Sequence, residues 1–284
     1  MQTTYTHLIT ASELNDILDS QTLVILDATI PPVGVMSEAE HRWPTTTIPN
    51  ARRFDLENDF SDLQGQFPHT LPSVEQFEQQ AKNLGINHNS QIVVYDSYGI
   101  FSSARAWWMF KAMGHKNIAV LDGGLPSWMT SDYPTNTSID TNASIAQGNF
   151  IANYSSNYFC DHQVVLDALT NEQISILDAR AAARFSGQAA EPRAGVRSGH
   201  MPNAINLPYS CLLKNGHMKP KAELINCFNE LTTKEHTLIT SCGSGVTACI
   251  LALAAEIAEY EHIRVYDGSW SEWGSLTQLP VVTG

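Results

Sequence analysis

The chain repeats itself. Leu23-Val24-Ile25-Leu26-Asp27 has a near copy in Ile174-Ser175-Ile176-Leu177-Asp178, and Thr47-Ile48-Pro49-Asn50-Ala51 returns as His200-Met201-Pro202-Asn203-Ala204. Ile92-Val93-Val94-Tyr95-Asp96 is answered by Leu238-Ile239-Thr240-Ser241-Cys242. Leu121-Asp122-Gly123-Gly124 with Trp128 is answered by Tyr266-Asp267-Gly268-Ser269 with Trp273. The order is the same in both halves, and the spacing stays between 145 and 153 residues. Echoes in register over this span imply an internal duplication. Each half alternates short apolar, β-branched runs with helical stretches. That pattern predicts two tandem α/β domains, each a mainly parallel sheet flanked by helices. A length of 284 residues accommodates two domains of ordinary size. Ser131 to Ser156 is rich in Thr, Asn and Ser, and no Lys or Arg occurs between Lys116 and Arg180. This predicts a first domain over 1–135, a linker over 136–156 draped on one domain, and a second domain over 157–284.

Charge and cysteine content narrow the function classes. The formal net charge is −13, which argues against a phosphate backbone as partner. No apolar run approaches the roughly 20 residues of a membrane span. Met1 to Thr10 is polar, without a basic region or an Arg-rich amphipathic pattern, so a cytoplasmic location is expected. The five cysteines, Cys160, Cys211, Cys227, Cys242 and Cys249, are odd in number and include no C-x2-C pair. Neither a disulfide framework nor a zinc site is expected. Four of them read as buried fillers. The histidines show no metal-ligand spacing, and no cofactor is expected.

The fifth cysteine stands apart. Leu238 to Thr240 reads as a buried strand and Val246 to Glu259, free of Gly and Pro, as a helix. Between them lies Cys242-Gly243-Ser244-Gly245. Glycines that reach positive φ, together with a helix N-terminus, aim backbone N–H groups at one point and favour thiolate over thiol. Three readings fit the stretch. The plainest is a buried structural cysteine, since free Cys is among the most buried residue types. The second is a dinucleotide fingerprint, because Gly243-Ser244-Gly245-Val246-Thr247-Ala248 matches G-x-G-x-x-A and Asp267 follows about twenty residues on. Too little chain remains after Gly243 to complete such a domain. The third is a nucleophile cradled by its own loop. Phosphoryl chemistry there would need C-x5-R, and the sixth residue after Cys242 is Ala248. The first half carries Asp96 where the second has Cys242. Its Ser97-Tyr98-Gly99-Ile100-Phe101 loop therefore has no nucleophile, and that half reads as a structural partner.

Cys-Gly-Ser-Gly-Val-Thr-Ala resembles the active-site loop of the two-domain rhodanese family, in the branch that works on 3-mercaptopyruvate. Members of the family that prefer thiosulfate carry Arg and Lys in place of Gly243 and Ser244. The resemblance extends over most of the chain and implies two rhodanese domains, of which only the second is catalytic. It also bears on a cluster of arginines. Four of the nine, Arg180, Arg184, Arg193 and Arg197, fall within eighteen residues. On residue chemistry alone they are either solvated surface paired with Glu191 or a bidentate anion clamp. The resemblance implies that Arg184, in Ala183-Arg184-Phe185-Ser186-Gly187, and Arg193, in Glu191-Pro192-Arg193, bind substrate, leaving Arg180 and Arg197 as structural. It implies that Ser244 polarises the thiol or leaving group, with His69 joining that relay and Glu57, or Asp55, as its acidic partner. Thr247 reads as a helix cap. Trp107, Trp108 and Tyr98 read as core or wall.

The expected reaction follows. Cys242 takes sulfur from a small-molecule donor, 3-mercaptopyruvate, holds it as a persulfide within the Gly243–Thr247 loop, and passes it to a thiol such as thioredoxin or to cyanide. Thiosulfate:cyanide sulfurtransfer on the same scaffold is the alternative. A nucleotide-binding oxidoreductase and a non-catalytic sulfur-binding module are the readings from other classes.

Overall fold

The computed structural model of the chain describes residues 7–32, 46–137 and 145–284. The polar N-terminal reading therefore lies, for residues 1–6, outside the described residues, as does the 138–144 portion of the linker reading. The chain divides into two compact units. Among the described residues, unit 1 runs to Leu63, continues over Leu71–Ser155 and takes in Asn215–His217. Unit 2 comprises Gln64–Thr70, Ser156–Lys214 and Met218–Gly284.

In unit 1 the elements are β1 (Leu8–Ile9), α1 (Ala11–Asp16), β2 (Leu23–Asp27), β3 (Arg52–Arg53), α2 (Val74–Asn83), β4 (Gln91–Tyr95), α3 (Ser103–Ala112), β5 (Ile118–Leu121) and α4 (Gly124–Thr130). The strands form one sheet in the order β1-β5-β4-β2-β3, with all neighbouring pairs parallel. In unit 2 they are β6 (Phe159–Cys160), α5 (His162–Ala168), β7 (Ile174–Asp178), α6 (Ala182–Phe185) and β8 (Ile205–Asn206). A 3₁₀ turn (Tyr209–Leu212) follows, then β9 (Leu213–Lys214), β10 (His217–Met218, of which only Met218 groups with unit 2), α7 (Lys221–Asn229), β11 (Thr237–Ser241), α8 (Ala248–Ile257), β12 (Ile263–Tyr266) and α9 (Ser269–Trp273). Its five-stranded sheet has the order β6-β12-β11-β7-β8, again parallel. The two orders correspond strand for strand, as the repeat requires. β9 and β10 form a separate two-stranded hairpin.

The local chemistry of the echoes accounts for the matched folds. A parallel sheet covered on both faces needs continuous apolar strands, and β4 and the last four residues of β11 are fully buried. Pro49-Asn50 and Pro202-Asn203 each sit in a turn closed by an i→i+3 bond, Ala51 N–H to Ile48 O and Ala204 N–H to Met201 O. Both asparagines have φ of 61°, the left-handed conformation that Asn tolerates at the third position of a type II turn. Each turn feeds a short edge strand. Trp128 donates its indole N–H to Pro134 O at 2.7 Å and Trp273 to Pro280 O at 2.8 Å. The echoed tryptophans thus do the same work, filling a core and tying down the following chain.

Residues 145–155 group with unit 1. Their amides reach it through Gly148 N–H to Lys82 O, Phe150 N–H to Ile86 O, Asn153 N–H to Met113 O and Ser155 N–H to Ala112 O. Not every cysteine is a buried filler: Cys160 and Cys249 are buried, Cys227 is intermediate and Cys211 is exposed. A short turn puts Cys211 at the surface, where a sequence without periodicity gives no signal. Trp107 and Trp108 are core, whereas Tyr98 is exposed.

Candidate active site

Cys242 follows the last residue of β11, the central strand of the unit 2 sheet. In a parallel sheet the carboxyl ends of the strands open onto the loops that lead into helices, and side chains there face the ligand crevice. The helix begins at Ala248 rather than at Val246, so Val246 and Thr247 belong to the loop. Thr247 occupies the N-cap position, but its side chain makes no capping hydrogen bond. Its backbone is already helical (φ −74°, ψ −14°), whereas an N-cap side chain bonds from an extended backbone. Of the two loop glycines only Gly245 is left-handed, with φ of 77°. Gly243 lies outside that region, so its role is not conformational.

What Gly243 supplies is room. A Cβ built there would lie 3.2 Å from Arg184 Nη2 and 3.9 Å from Arg193 Nη1. Two of the four clustered arginines therefore flank the loop, and the other two do not. Arg180 is 3% exposed; it makes a fork to Asp178 (Nε at 3.0 and 3.1 Å, Nη2 at 2.7 Å), donates to Gly199 O, and stacks on Trp270. Arg197 donates to four carbonyls, those of Gly274, Leu279, Trp273 and Leu276.

Glu191 joins the arginines. Its carboxylate accepts from Arg180 Nη1 at 2.9 Å and from Arg184 through Nε at 3.2 Å and Nη2. Its side chain is only 4% exposed. Two of Arg184's donors are thereby committed. Arg193 makes no hydrogen bond or ion pair among the described residues. Burial lowers its pKa from the ordinary guanidinium value and Arg184 adds to the lowering, while Cys242 and the Glu191 carboxylate oppose it. A half-buried guanidinium that makes no hydrogen bond, beside a thiol, has the chemistry to receive an anion.

The loop is anchored from behind by the start of α9. Cys242 N–H donates to Ser269 Oγ at 3.1 Å, and Trp270 N–H donates to Cys242 O at 3.0 Å. Gly243 O accepts from Ser271 N–H at 2.8 Å and from its hydroxyl at 2.6 Å. On the other side His69, carried by the Gln64–Thr70 segment of unit 2, forms a 2.9 Å hydrogen bond between Nδ1 and Ser244 Oγ. Cys242 itself is 1% exposed and Ser244 6%. Asp55 spends its carboxylate on a local turn, accepting from Glu57 N–H, Asn58 N–H and Asn58 Nδ2.

The first-half loop displays what such a cradle holds. Asp96 Oδ1 accepts from Tyr98 N–H. Asp96 Oδ2 accepts from the amides of Phe101, Ser102 and Ser103 and from the Ser103 hydroxyl, at 2.7–3.0 Å. The corresponding amides in the second half are those of Ser244, Thr247, Ala248 and Cys249; Cys249 N–H donates to Val246 O at 3.2 Å, and among the described residues the other three donate no hydrogen bond. One loop is filled by its own carboxylate. Its twin has a thiol in the carboxylate's place.

Glu191 and Ser269 were not singled out by sequence as site residues. Glu191 reads there only as a surface ion-pair partner, and Ser269 only as part of an echo. The sole available signal for Ser269 was a departure within that echo, Gly123-Gly124 against Gly268-Ser269.

A duplicated, parallel α/β domain with a cysteine-bearing loop at the end of the central strand of one copy defines a class of proteins. Residues 10–131 and 161–276 match the rhodanese-like domain, and the chain belongs to that family. It is 34% identical to a 3-mercaptopyruvate sulfurtransferase of Escherichia coli (strain K12) over 283 residues, covering 99% of each chain. It is 37% identical to the mitochondrial thiosulfate/3-mercaptopyruvate sulfurtransferase 1 of Arabidopsis thaliana over 279 residues, 91% of this chain and 73% of that protein. Its fold superposes on the crystal structure of SseA from Escherichia coli with a TM-score of 0.82 at 32% identity, covering 94% of this chain and 99% of that one.

Proposed function

We propose that the protein is a sulfurtransferase that takes sulfur from 3-mercaptopyruvate, carries it as a persulfide on Cys242, and releases pyruvate. The observation that carries this reading is the loop itself: a thiol beside amides that donate no hydrogen bond and beside Arg193, which makes none either, where the twin loop accommodates a carboxylate. The names of the similar sulfurtransferases supply the substrate class.

The chemistry balances without an outside oxidant. The Cys242 thiolate attacks the substrate sulfur, and the carbon–sulfur bond breaks with its electron pair moving to carbon as the enolate of pyruvate. The proton of the substrate thiol passes by way of Ser244 and His69 and ends on that carbon. Arg193 and Arg184 bind the carboxylate and keto oxygen and stabilise the charge that develops on the enolate. The persulfide then sits among the amides of Ser244 and Thr247 in the Gly243–Thr247 loop and that of Ala248 at the start of α8. A thiol, a small dithiol protein such as thioredoxin, or cyanide attacks its outer sulfur and restores the thiolate.

Mercaptopyruvate is favoured over thiosulfate because Gly243 and Ser244 bring no positive charge to the loop. No helix among the described residues is long and apolar enough to cross a membrane. A reducing compartment, the cytoplasm, suits five cysteines none of which forms a disulfide. A net charge of −13 leaves nucleic acid outside the partner set.

Intact mass after incubation with 3-mercaptopyruvate is the direct test. One sulfur is gained by the wild type and none by Cys242→Ser, whose hydroxyl has nearly the thiol's volume but cannot hold a persulfide. Equal sulfur loading of the serine variant removes Cys242 as the carrier.

A further inference from the structure

Ser269 has a backbone that its side chain does not favour. It is fully buried and left-handed, with φ of 49°. For a residue with a Cβ that conformation is strained, and glycine adopts it freely. The first half makes the unstrained choice. Gly124 stands at the same place in the repeat with φ of 55°, and a Cβ on it would lie 2.4 Å from Asp96 O and 2.4 Å from Gly99 O. Both halves share the neighbouring bond: Leu125 N–H to Asp96 O and Trp270 N–H to Cys242 O, each 3.0 Å. The half with the thiol alone keeps a side chain at the left-handed position.

That side chain is fully engaged. Ser269 Oγ accepts the Cys242 N–H at 3.1 Å and donates its proton to Tyr266 O at 2.8 Å. The nucleophile is therefore gripped on both flanks by consecutive residues, its N–H by Ser269 and its C=O by Trp270. Fixing both ends of a residue's peptide fixes its Cα–Cβ direction, and with it the sulfur. The grip also occupies the Cys242 N–H, leaving the cradle to the amides beyond it. Strain retained at one position of a repeat and relaxed at its twin marks a functional constraint.

We propose that Ser269 is a positioning residue for the nucleophile, holding the Cys242 backbone so that its sulfur lies in line with the donor's sulfur. The inference rests on the sulfur-transfer reading above. Misalignment of a reacting atom acts on the chemical step rather than on binding.

Two variants separate positioning from stability. Ser269→Gly removes the hydroxyl and relieves the backbone; Ser269→Ala removes the hydroxyl and keeps the strain. Both are checked by circular dichroism and melting temperature, then by single-turnover pyruvate release from 3-mercaptopyruvate across a range of concentrations. The glycine variant melts higher than the alanine variant. Both lose roughly ten-fold or more in the limiting rate while the half-saturating concentration stays within about two-fold of wild type. The rate loss thus fails to follow the difference in stability. A folded Ser269→Gly protein with the wild-type rate overturns the assignment. So does a rate loss confined to the less stable variant, or failure of both variants to fold, which makes Ser269 a folding determinant instead. A wild type that gains no sulfur and releases no pyruvate sinks the sulfur-transfer reading itself, an outcome distinct from these.

Discussion

Arg184 and Arg193 flank Gly243, yet they are not equivalent. Arg184 has Nε and Nη2 on Glu191, while Arg193 makes no hydrogen bond or ion pair among the described residues. A committed guanidinium has less to give a substrate than a free one. Arg193→Ala is therefore expected to lower kcat/KM for 3-mercaptopyruvate by about a hundred-fold and Arg184→Ala by about ten-fold, the range for one charge-assisted contact. Arg197→Ala strands four carbonyl bonds and is expected to lower the melting temperature more than the rate. Equal kinetic losses from all three would mean diffuse electrostatics rather than a clamp. The double change Gly243→Arg with Ser244→Lys tests substrate choice at the same spot. Gly243 is not left-handed, so the backbone accepts a side chain, and the atom in its way is the end of a flexible arginine. The folded double variant is expected to shift the kcat/KM ratio toward thiosulfate by at least about ten-fold, since it adds two cations for a dianion and removes the Ser244–His69 bond. An unchanged ratio would clear loop charge of setting specificity. At this scale the sequence was uneven. Cys242 stood out because a thiol between a strand, two glycines and a helix has a chemical reason to be there. His69 lies 175 residues from Ser244, so only the resemblance pointed to it. Ser269 showed only as a departure from Gly124 within an echo, because its role depends on a backbone angle.

The two β-strand-to-helix loops make an internal experiment at the scale of elements. Asp96 is fully buried and takes five hydrogen bonds from its own loop and from the first residue of α3. Asp96→Ala leaves those donors buried without an acceptor and is expected to destabilise unit 1 by on the order of 3 kcal/mol. Formate has the shape of the missing group. It should raise the melting temperature of Asp96→Ala more than that of a comparably destabilised core variant such as Val93→Ala, at matched ionic strength. Asp96→Asn keeps the site filled and should not respond. An identical formate response in the alanine variant and the core control would show that the loop amides form no anion cradle. The existence of both loops was legible, because an apolar strand run, a break and an alanine-rich stretch leave few alternatives. The helix start was not. Val246 and Thr247 have side chains compatible with either state, and the loop's hydrogen-bonding demands, rather than propensity, decide where α8 begins.

For the whole molecule the duplication was the most legible feature, because each echo encodes a contact that any copy of the domain must make: a buried strand, a Pro-Asn turn, a tryptophan tied to a later proline carbonyl. Charge was equally plain in the composition but says less about structure, and pH separates its global from its local effects. With 29 acidic against 16 basic side chains the protein repels itself near neutrality, and acidification toward pH 5 relieves that repulsion. His115 pulls the other way. It is 5% exposed, Nε2 bonds to Ser90 O at 2.9 Å, and its ring lies between Phe110 and Phe150. Burial pushes its pKa below the usual histidine value, with the backbone bonds opposing. Because the folded pKa is the lower one, the unfolded chain takes up the proton first. The stability this histidine contributes is therefore complete above about pH 6.5 and is lost as pH falls below it, by at most about 1.4 kcal/mol per pH unit. His115→Gln retains a donor for Ser90 O and does not titrate. Denaturant melts of wild type and variant between pH 7.5 and 5 carry the same global charge term, which cancels in their difference. The wild type is expected to be the more stable at pH 7.5 and to lose that advantage on acidification, the gap closing below pH 6.5. A gap that is constant with pH, or that widens toward acid, would mean that the folded protein accommodates a charged His115 and that the acid limb of its stability curve comes from the carboxylates alone.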